Sequence, residues 1–322
     1  MNRIGPVLLA AVAVISVLAD PAAGAAAGQW TARQPFEGTT GDTIHYYLFT
    51  PAGVETARRY PLVLWMHGGL KSNGVGGPNM PADAFYRDEH QRQHPCFVLR
   101  PVAVKGTNWV SPRGAGTASH TMPADPAPSM TVLVELLDRV IKQNPIDPAS
   151  LHVVGASMGG YGVWDLIARH PKRFASAIPI CGGGDPSQAA RLKDMRIWVF
   201  HSADDRIVPP RGSRDMFQAL AKARGEEPAV QEDDAKTIHS CAGGAIRYTE
   251  FARGGHNAWD RALRDPEVFR WVFQGAAGRQ AGARGETADK GFRSLFDGKP
   301  PKGCAVRGSR GGQSCPPRCR RW

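Results

Sequence analysis

Apolar positions along the chain follow two rhythms. Continuous apolar runs closed by small residues recur in PLVLWMHGG (61–69), CFVLRPVAV (96–104), LHVVGAS (151–157), SAIPICGGG (176–184) and RIWVFHS (196–202). Such runs suit strands covered on both faces. TIHYYLFTP (43–51) and AIRYTEF (245–251) add β-branched and aromatic strand candidates. Between these runs, spacing near 3.6 residues predicts helices over 130–143, 159–170, 214–223 and 260–273. Strand alternating with helix indicates a mostly parallel sheet with helices on both faces, whose functional groups collect at the carboxyl ends of the strands. The segments 71–95 and 105–127 are too long for simple connectors, so both are expected to contact substrate. There is no internal repeat.

The pattern breaks down at both ends. One cation, Arg3, precedes an apolar run and then the small residues Ala25, Ala26 and Ala27, the order of a cleavable export signal over 1–27. No later segment is apolar for long enough to cross a bilayer, so the expectation is a secreted or periplasmic protein without a membrane partner once the signal is removed. The 322 residues then accommodate one main domain over 28–275 and a linker with a basic tail over 276–322.

Charge changes the picture less than its total suggests. The formal charge is +11, but residues 276–322 hold eleven Lys and Arg against three Asp and Glu, a net of +8. The difference, 11 − 8, leaves +3 on the rest of the chain, so no nucleic-acid partner is implied. Of six cysteines, Cys96, Cys181 and Cys241 lie in the main domain. Buried free thiols are expected for Cys96 and Cys181, with a Cys181–Cys241 bridge as the one pairing to test.

The chemistry concentrates in Gly155-Ala156-Ser157-Met158-Gly159, a G-x-S-x-G motif between an apolar strand and an amphipathic helix. A sharp strand-to-helix turn presents such a serine, and side chains two positions away would collide unless very small. The hydroxyl also meets the N–H groups and positive dipole end of the helix. Ser157 is therefore the candidate nucleophile.

A serine hydroxyl needs a base, and the base needs an orienting acid. With the chain order Ser, acid, His, the acid falls at Asp204 or Asp205 in RIWVFHSADDRIVPP. Among His201, His239 and His256, the last stands after Gly254-Gly255 in a loop that leads into the final helix, and it is the candidate base. His201 reads as a structural imidazole and His239 as an exposed loop residue. The oxyanion donors are expected from Met158 and from Gly69 or Leu70 in the HGGL segment, with His67 bracing that loop. No cluster has metal-ligand spacing, so no metal or organic cofactor is expected.

WMHGG, KGTNWVSP, SHTMPADPAPSM, the long segment from NPIDPASLHVVGASMGGYG to ICGGGD, HSADDRIVPP and GGHNAWDRAL occur in this order. Over about residues 46–273 the chain thereby resembles the exported α/β-hydrolases grouped as predicted peptidases, carboxylesterases or polyhydroxybutyrate-depolymerase-like esterases. The resemblance implies an α/β-hydrolase fold, Ser157 as nucleophile, Asp205 as acid, His256 as base, and Gly69 and Met158 at the oxyanion. It implies a small-molecule or oligomeric ester as substrate. Short-peptide cleavage and a non-catalytic carbohydrate-associated module are the alternatives. GFRSLFDGK (291–299) resembles the opening of a 3-keto-disaccharide hydrolase-type domain, here running into an Arg-, Pro- and Cys-rich stretch, as a truncated or frameshifted second domain would.

Overall fold

The alternating apolar runs resolve into a single eleven-stranded sheet in the computed structural model, which describes residues 28–69, 84–110 and 121–274. The expected export signal, the basic tail, Leu70 and the middles of the two long loops lie outside the described residues. In chain order the strands are β1 (Gln29–Trp30), β2 (Gln34–Glu37), β3 (Thr43–Thr50), β4 (Tyr60–Met66), β5 (Phe97–Val102), β6 (Ile146–Ala156), β7 (Ser176–Ile180), β8 (Arg196–Ser202), β9 (Ala229–Glu232), β10 (Lys236–Cys241) and β11 (Ile246–Phe251). The helices are α1 (Asp88–Gln93), α2 (Pro128–Gln143), α3 (Met158–Arg169), α4 (Ala189–Leu192), α5 (Arg211–Arg224), α6 (Ala258–Arg264) and α7 (Pro266–Phe273).

Strand order is β1-β3-β5-β4-β6-β7-β8-β11-β10-β9, with β2 paired to β3. The six strands from β5 to β11 in that order are parallel, while β3 and β10 flank them antiparallel. Along β4, Leu62, Leu64 and Met66 enter one core and Val63 and Trp65 the other, the period of two that a strand imposes. The first core is completed by α2, α3 and α5, the second by α6 and α7. Burial on both faces explains why these strands are uninterrupted apolar runs, each large side chain contributing about 1.5–3 kcal/mol when removed from water. None of the helices in the described residues is long and apolar enough to cross a membrane.

Several sequence expectations shift. The helix expected over 260–273 is two helices, because Pro266 cannot continue the first and Asp265 caps the second by accepting the Glu267 N–H. His239 lies on β10, half-buried and stacked on Tyr248, where a loop was expected. The β9–β10 hairpin escapes the apolar pattern because β9 is wholly exposed and most of β10 only half-covered. Cys96 and Cys181 are the buried free thiols expected; Cys181 and Cys241 belong to cores on opposite faces of the sheet, so the one pairing to test does not form.

The described ends of the two long loops are anchored rather than open. Phe85 is buried beside Phe269, and Trp109 is buried with its Nε1–H donated to the His67 carbonyl at 3.0 Å. Arg169, paired to Asp165 one helical turn before it, donates to the carbonyls of Pro123, Ala124 and Asp125.

Candidate active site

Three strand ends converge on one point. At the end of β6 the chain turns abruptly, with Ser157 at φ 57° and ψ −119°, before α3 begins at Met158. This positive-φ conformation is strained for a residue with a Cβ and is tolerated here because neighbours fix it. The Ser157 N–H donates to the Ile180 carbonyl at 2.9 Å. The turn also requires bare backbone on either side. A Cβ at Gly159 would lie 2.0 Å from the Met66 carbonyl oxygen, and one at Gly155 would lie 2.5 Å from that of Gly159.

Beyond the end of β8, Asp205 folds its carboxylate back on its own loop. Oδ1 accepts the N–H groups of Ile207 and Val208 at 2.9 and 3.0 Å, and Oδ2 faces His256 Nδ1 at 2.7 Å. Burial alone would raise the carboxyl pKa. The hydrogen bonds from His201, His256, Val208 and Ile207 outweigh it and hold the group well below the usual carboxylate range. His256 follows β11 on a loop whose Gly254 and Gly255 both take positive φ. Its Nε2 lies 2.8 Å from Ser157 Oγ, completing an unbroken Ser157–His256–Asp205 chain. The His256 side chain keeps 17% exposure, while the Asp205 carboxylate has none.

The sequence of residues 38–247 matches the family model described as "Putative esterase". The chain belongs to this esterase family. The matched stretch contains Ser157 and Asp205 and ends just short of His256. A thermostable esterase of known crystal structure shares 31% identity and a TM-score of 0.62 over 75% of this chain, which spans 62% of that protein's length. Acetyl xylan esterase from Aspergillus awamori is similar at 15% identity and a TM-score of 0.56, over 75% of this chain and 100% of that one. A fluorophosphonate-binding serine hydrolase of Staphylococcus aureus is similar at 13% identity and a TM-score of 0.51, over 77% and 99%. At the last two identities the likeness is one of fold, the α/β-hydrolase fold.

In this esterase-family chain the remaining sequence candidates take distinct places. Gly68 and Gly69 pass close to the Ser157 turn: a Cβ at Gly68 would lie 3.4 Å from Ser157 Cβ, and one at Gly69 would lie 3.8 Å from Met158 Cβ. Met158 is the first residue of α3, where helix geometry provides its N–H with no intrahelical acceptor. His67 braces this loop, as expected. Its Nε2 accepts the Ala103 N–H at 3.0 Å and its Nδ1 donates to the Gly68 carbonyl at 2.8 Å, while burial lowers its pKa.

Asp204, weighed against Asp205 for the acid, does not touch the imidazole. Its Oδ1 accepts the Gly255 N–H at 2.8 Å and so holds the backbone next to His256. Two neighbours of the imidazole have no separate signal in the sequence. Trp259, in the first turn of α6, meets the His256 ring edge-on with centroids 5.4 Å apart. Cys181, at φ 49° just past β7, is buried with its ligand atom within 4.8 Å of those of Asp205 and His256. A thiol, a carboxylate and an imidazole can hold a metal ion. Here, however, Nδ1 and Oδ2 are already directed at each other.

Proposed function

We propose that the protein is a serine esterase that cleaves carboxylic esters through an acyl-enzyme on Ser157. The observation that carries this reading is the continuous hydrogen-bonded chain Ser157 Oγ, His256 Nε2, His256 Nδ1, Asp205 Oδ2, at 2.8 and 2.7 Å. Membership of the esterase family supports the ester as substrate.

His256 Nε2 takes the Ser157 proton as Oγ attacks the ester carbonyl carbon. The imidazolium that forms is held by Asp205, which stays ionised because its hydrogen bonds keep its pKa low. Negative charge gathers on the former carbonyl oxygen, and the Met158 N–H with one from the Gly69 turn stabilises it. Collapse of this intermediate expels the alcohol, which takes its proton from His256. Water, deprotonated by the same imidazole, then attacks the acyl-enzyme and releases the acid. No step requires a metal or an organic cofactor.

Among esters, we favour those linked to carbohydrate. The reading rests on the resemblance of 291–299 to the opening of a sugar-associated domain, and an exported location accords with such substrates. Active-site labelling tests the main proposal. A fluorophosphonate probe should label the protein at Ser157, p-nitrophenyl acetate should be turned over, and Ser157→Ala should lose both. A pure Ser157→Ala protein with unchanged turnover would refute it. Acetyl, feruloyl and hydroxybutyrate esters, assayed beside peptide amides, would then rank the substrates.

A further inference from the structure

Asp205 Oδ2 is shared by two histidines, His256 Nδ1 at 2.7 Å and His201 Nε2 at 3.2 Å. His201 is completely buried at the end of β8. The same Nε2 lies 3.0 Å from the Val208 carbonyl, so it faces two acceptors and must carry the ring proton. On the other side of the ring, Nδ1 lies 2.7 Å from Ser213 Oγ, which is itself 3.0 Å from the Gly182 carbonyl. With Nε2 protonated, Nδ1 accepts the one hydroxyl proton of Ser213, so Ser157 stands at one end of a line of polar contacts, Ser157–His256–Asp205–His201–Ser213, that crosses from β6 to the start of α5.

We propose that His201 is a positioning residue for the reaction, and that Ser213 in turn positions His201. This rests on the reading of Ser157, Asp205 and His256 as the reacting triad. Two backbone N–H groups fix Oδ1 of Asp205, and the Nε2–H of His201, shared between the Val208 carbonyl at 3.0 Å and Oδ2 at 3.2 Å, adds a weaker constraint on Oδ2 that helps turn the carboxylate plane toward His256. It also withdraws charge from the oxygen that holds the His256 proton, so that Asp205 stabilises the imidazolium without over-stabilising it in the resting enzyme. Burial makes the contact stronger than it would be in water, since no solvent competes for either partner.

Other charged groups near this line are already engaged. Glu250, in register with His201 on β11, is bound by Arg214 of α5 and by Tyr248. Asp204 is bound to Gly255, with Arg253 near it. The Cys181 thiol is held neutral by burial. Asp205 is therefore the partner through which His201 acts.

The test compares His201→Phe, His201→Gln and Ser213→Ala in the full chain, by pH profiles of kcat/KM on p-nitrophenyl acetate and by NMR titration of His256. In His201→Phe, kcat/KM should fall roughly tenfold to a hundredfold, chiefly in kcat, as expected for losing one hydrogen bond to a buried charged group. Without this donor Asp205 holds the His256 proton more firmly, so the acid limb and the NMR titration of His256 should both move up by about one pH unit. His201→Gln keeps an N–H near the Nε2 position and should recover most of the loss. Ser213→Ala should shift the limb in the same direction by less, and it decides the matter should His201→Phe fail to fold. An unmoved acid limb and titration in Ser213→Ala and in a folded His201→Phe, with activity lost or kept, would overturn the proposal. The NMR titration reads the coupling even in a protein that hydrolyses no ester, so a failure of the esterase reading stays distinguishable from a failure of this one.

Discussion

Asp204 Oδ1 accepts the Gly255 N–H at 2.8 Å, one residue before the histidine whose ring Asp205 holds. Adjacent carboxylates therefore act on His256 in different ways, the first fixing the backbone of its loop and the second orienting its imidazole. Removing the orienting acid of a triad costs on the order of ten-thousandfold in kcat, and Asp205→Ala should approach this loss. Asp204→Ala should cost only about tenfold, as expected for one charge-assisted hydrogen bond at an exposed site. Asp204→Asn, which keeps the acceptor oxygen, should recover much of it. Steady-state kinetics of the three variants decide between the aspartates; a larger loss in Asp204→Ala than in Asp205→Ala would reverse the assignment.

Gly159 tests the turn that presents Ser157. A Cβ there would meet the Met66 carbonyl oxygen at 2.0 Å, and that oxygen belongs to a central strand that cannot move aside. Overpacking against a rigid neighbour costs roughly 3 kcal/mol or more. In a domain of this size a loss of that magnitude lowers Tm by roughly 6–12 °C. Thermal unfolding of Gly159→Ala should show it, and a change of less than about 2 °C would mean that the turn yields more easily than its packing implies.

Ser157 holds a backbone conformation that favours glycine, φ 57° and ψ −119°. Strain of this kind costs about 1–3 kcal/mol and is kept where function needs it. Ser157→Gly and Ser157→Ala should both be inactive, but the glycine variant should unfold at a higher temperature than the alanine one, by a few degrees for about 1 kcal/mol of relieved strain. Equal Tm values would show that the surrounding structure relaxes the strain.

The parts legible in the sequence share one physical property: a local pattern that tertiary structure has little freedom to alter. Ser157 sits in a five-residue motif between a strand and a helix whose apolar patterns are plain, and the glycines of that motif answer a steric demand two residues away. His256 announces itself by Gly254 and Gly255. The arrangement of Asp204, His201 and Ser213 is different, because each acts through a contact made across the fold, from β8 to the base loop or to α5, and nothing in the nearby residues encodes its direction. The strand position of His239 is hidden for the same reason: its strand is held by pairing with β11 rather than by an apolar run. The break at Pro266 lies in the sequence itself, where a helical spacing continues through it and masks the missing N–H.

Burial separates the domain cysteines from the outside. Cys96 is buried with its thiol pushed up to about 12 by desolvation, and Cys181 is higher still for the same reason and because it faces Asp205. Since the thiolate is the reactive form, neither should react at about pH 8, close to the ordinary thiol pKa, while the fold is intact. Labelling with a thiol reagent followed by peptide mass spectrometry should leave the peptides containing Cys96 and Cys181 unmodified in native protein and modify both in denaturant. Native labelling of Cys181 would show that the core behind His256 opens, and a linked Cys181–Cys241 peptide would contradict the separation of their two cores.

The depressed pKa of Asp205 ties the candidate site to acid stability. Its folded-state value lies below the value near 3.9 of an unfolded aspartate, so the native state binds its proton less readily than the unfolded chain does. The resulting stabilisation is complete above about pH 5 and disappears as pH falls below about 4 toward the folded value. An Asp205→Asn variant lacks this group, so wild type should exceed it in Tm by a constant margin at neutral pH, and the margin should shrink steadily below about pH 4. His201 and His256 both donate to this carboxylate, and protonating Asp205 would cost the site its orientation together with the stability. Activity recovered after brief acid exposure should therefore follow the same pH range as the shrinking margin. A margin that stays constant down to pH values where wild type unfolds would mean that the carboxylate is not the group whose protonation weakens the fold.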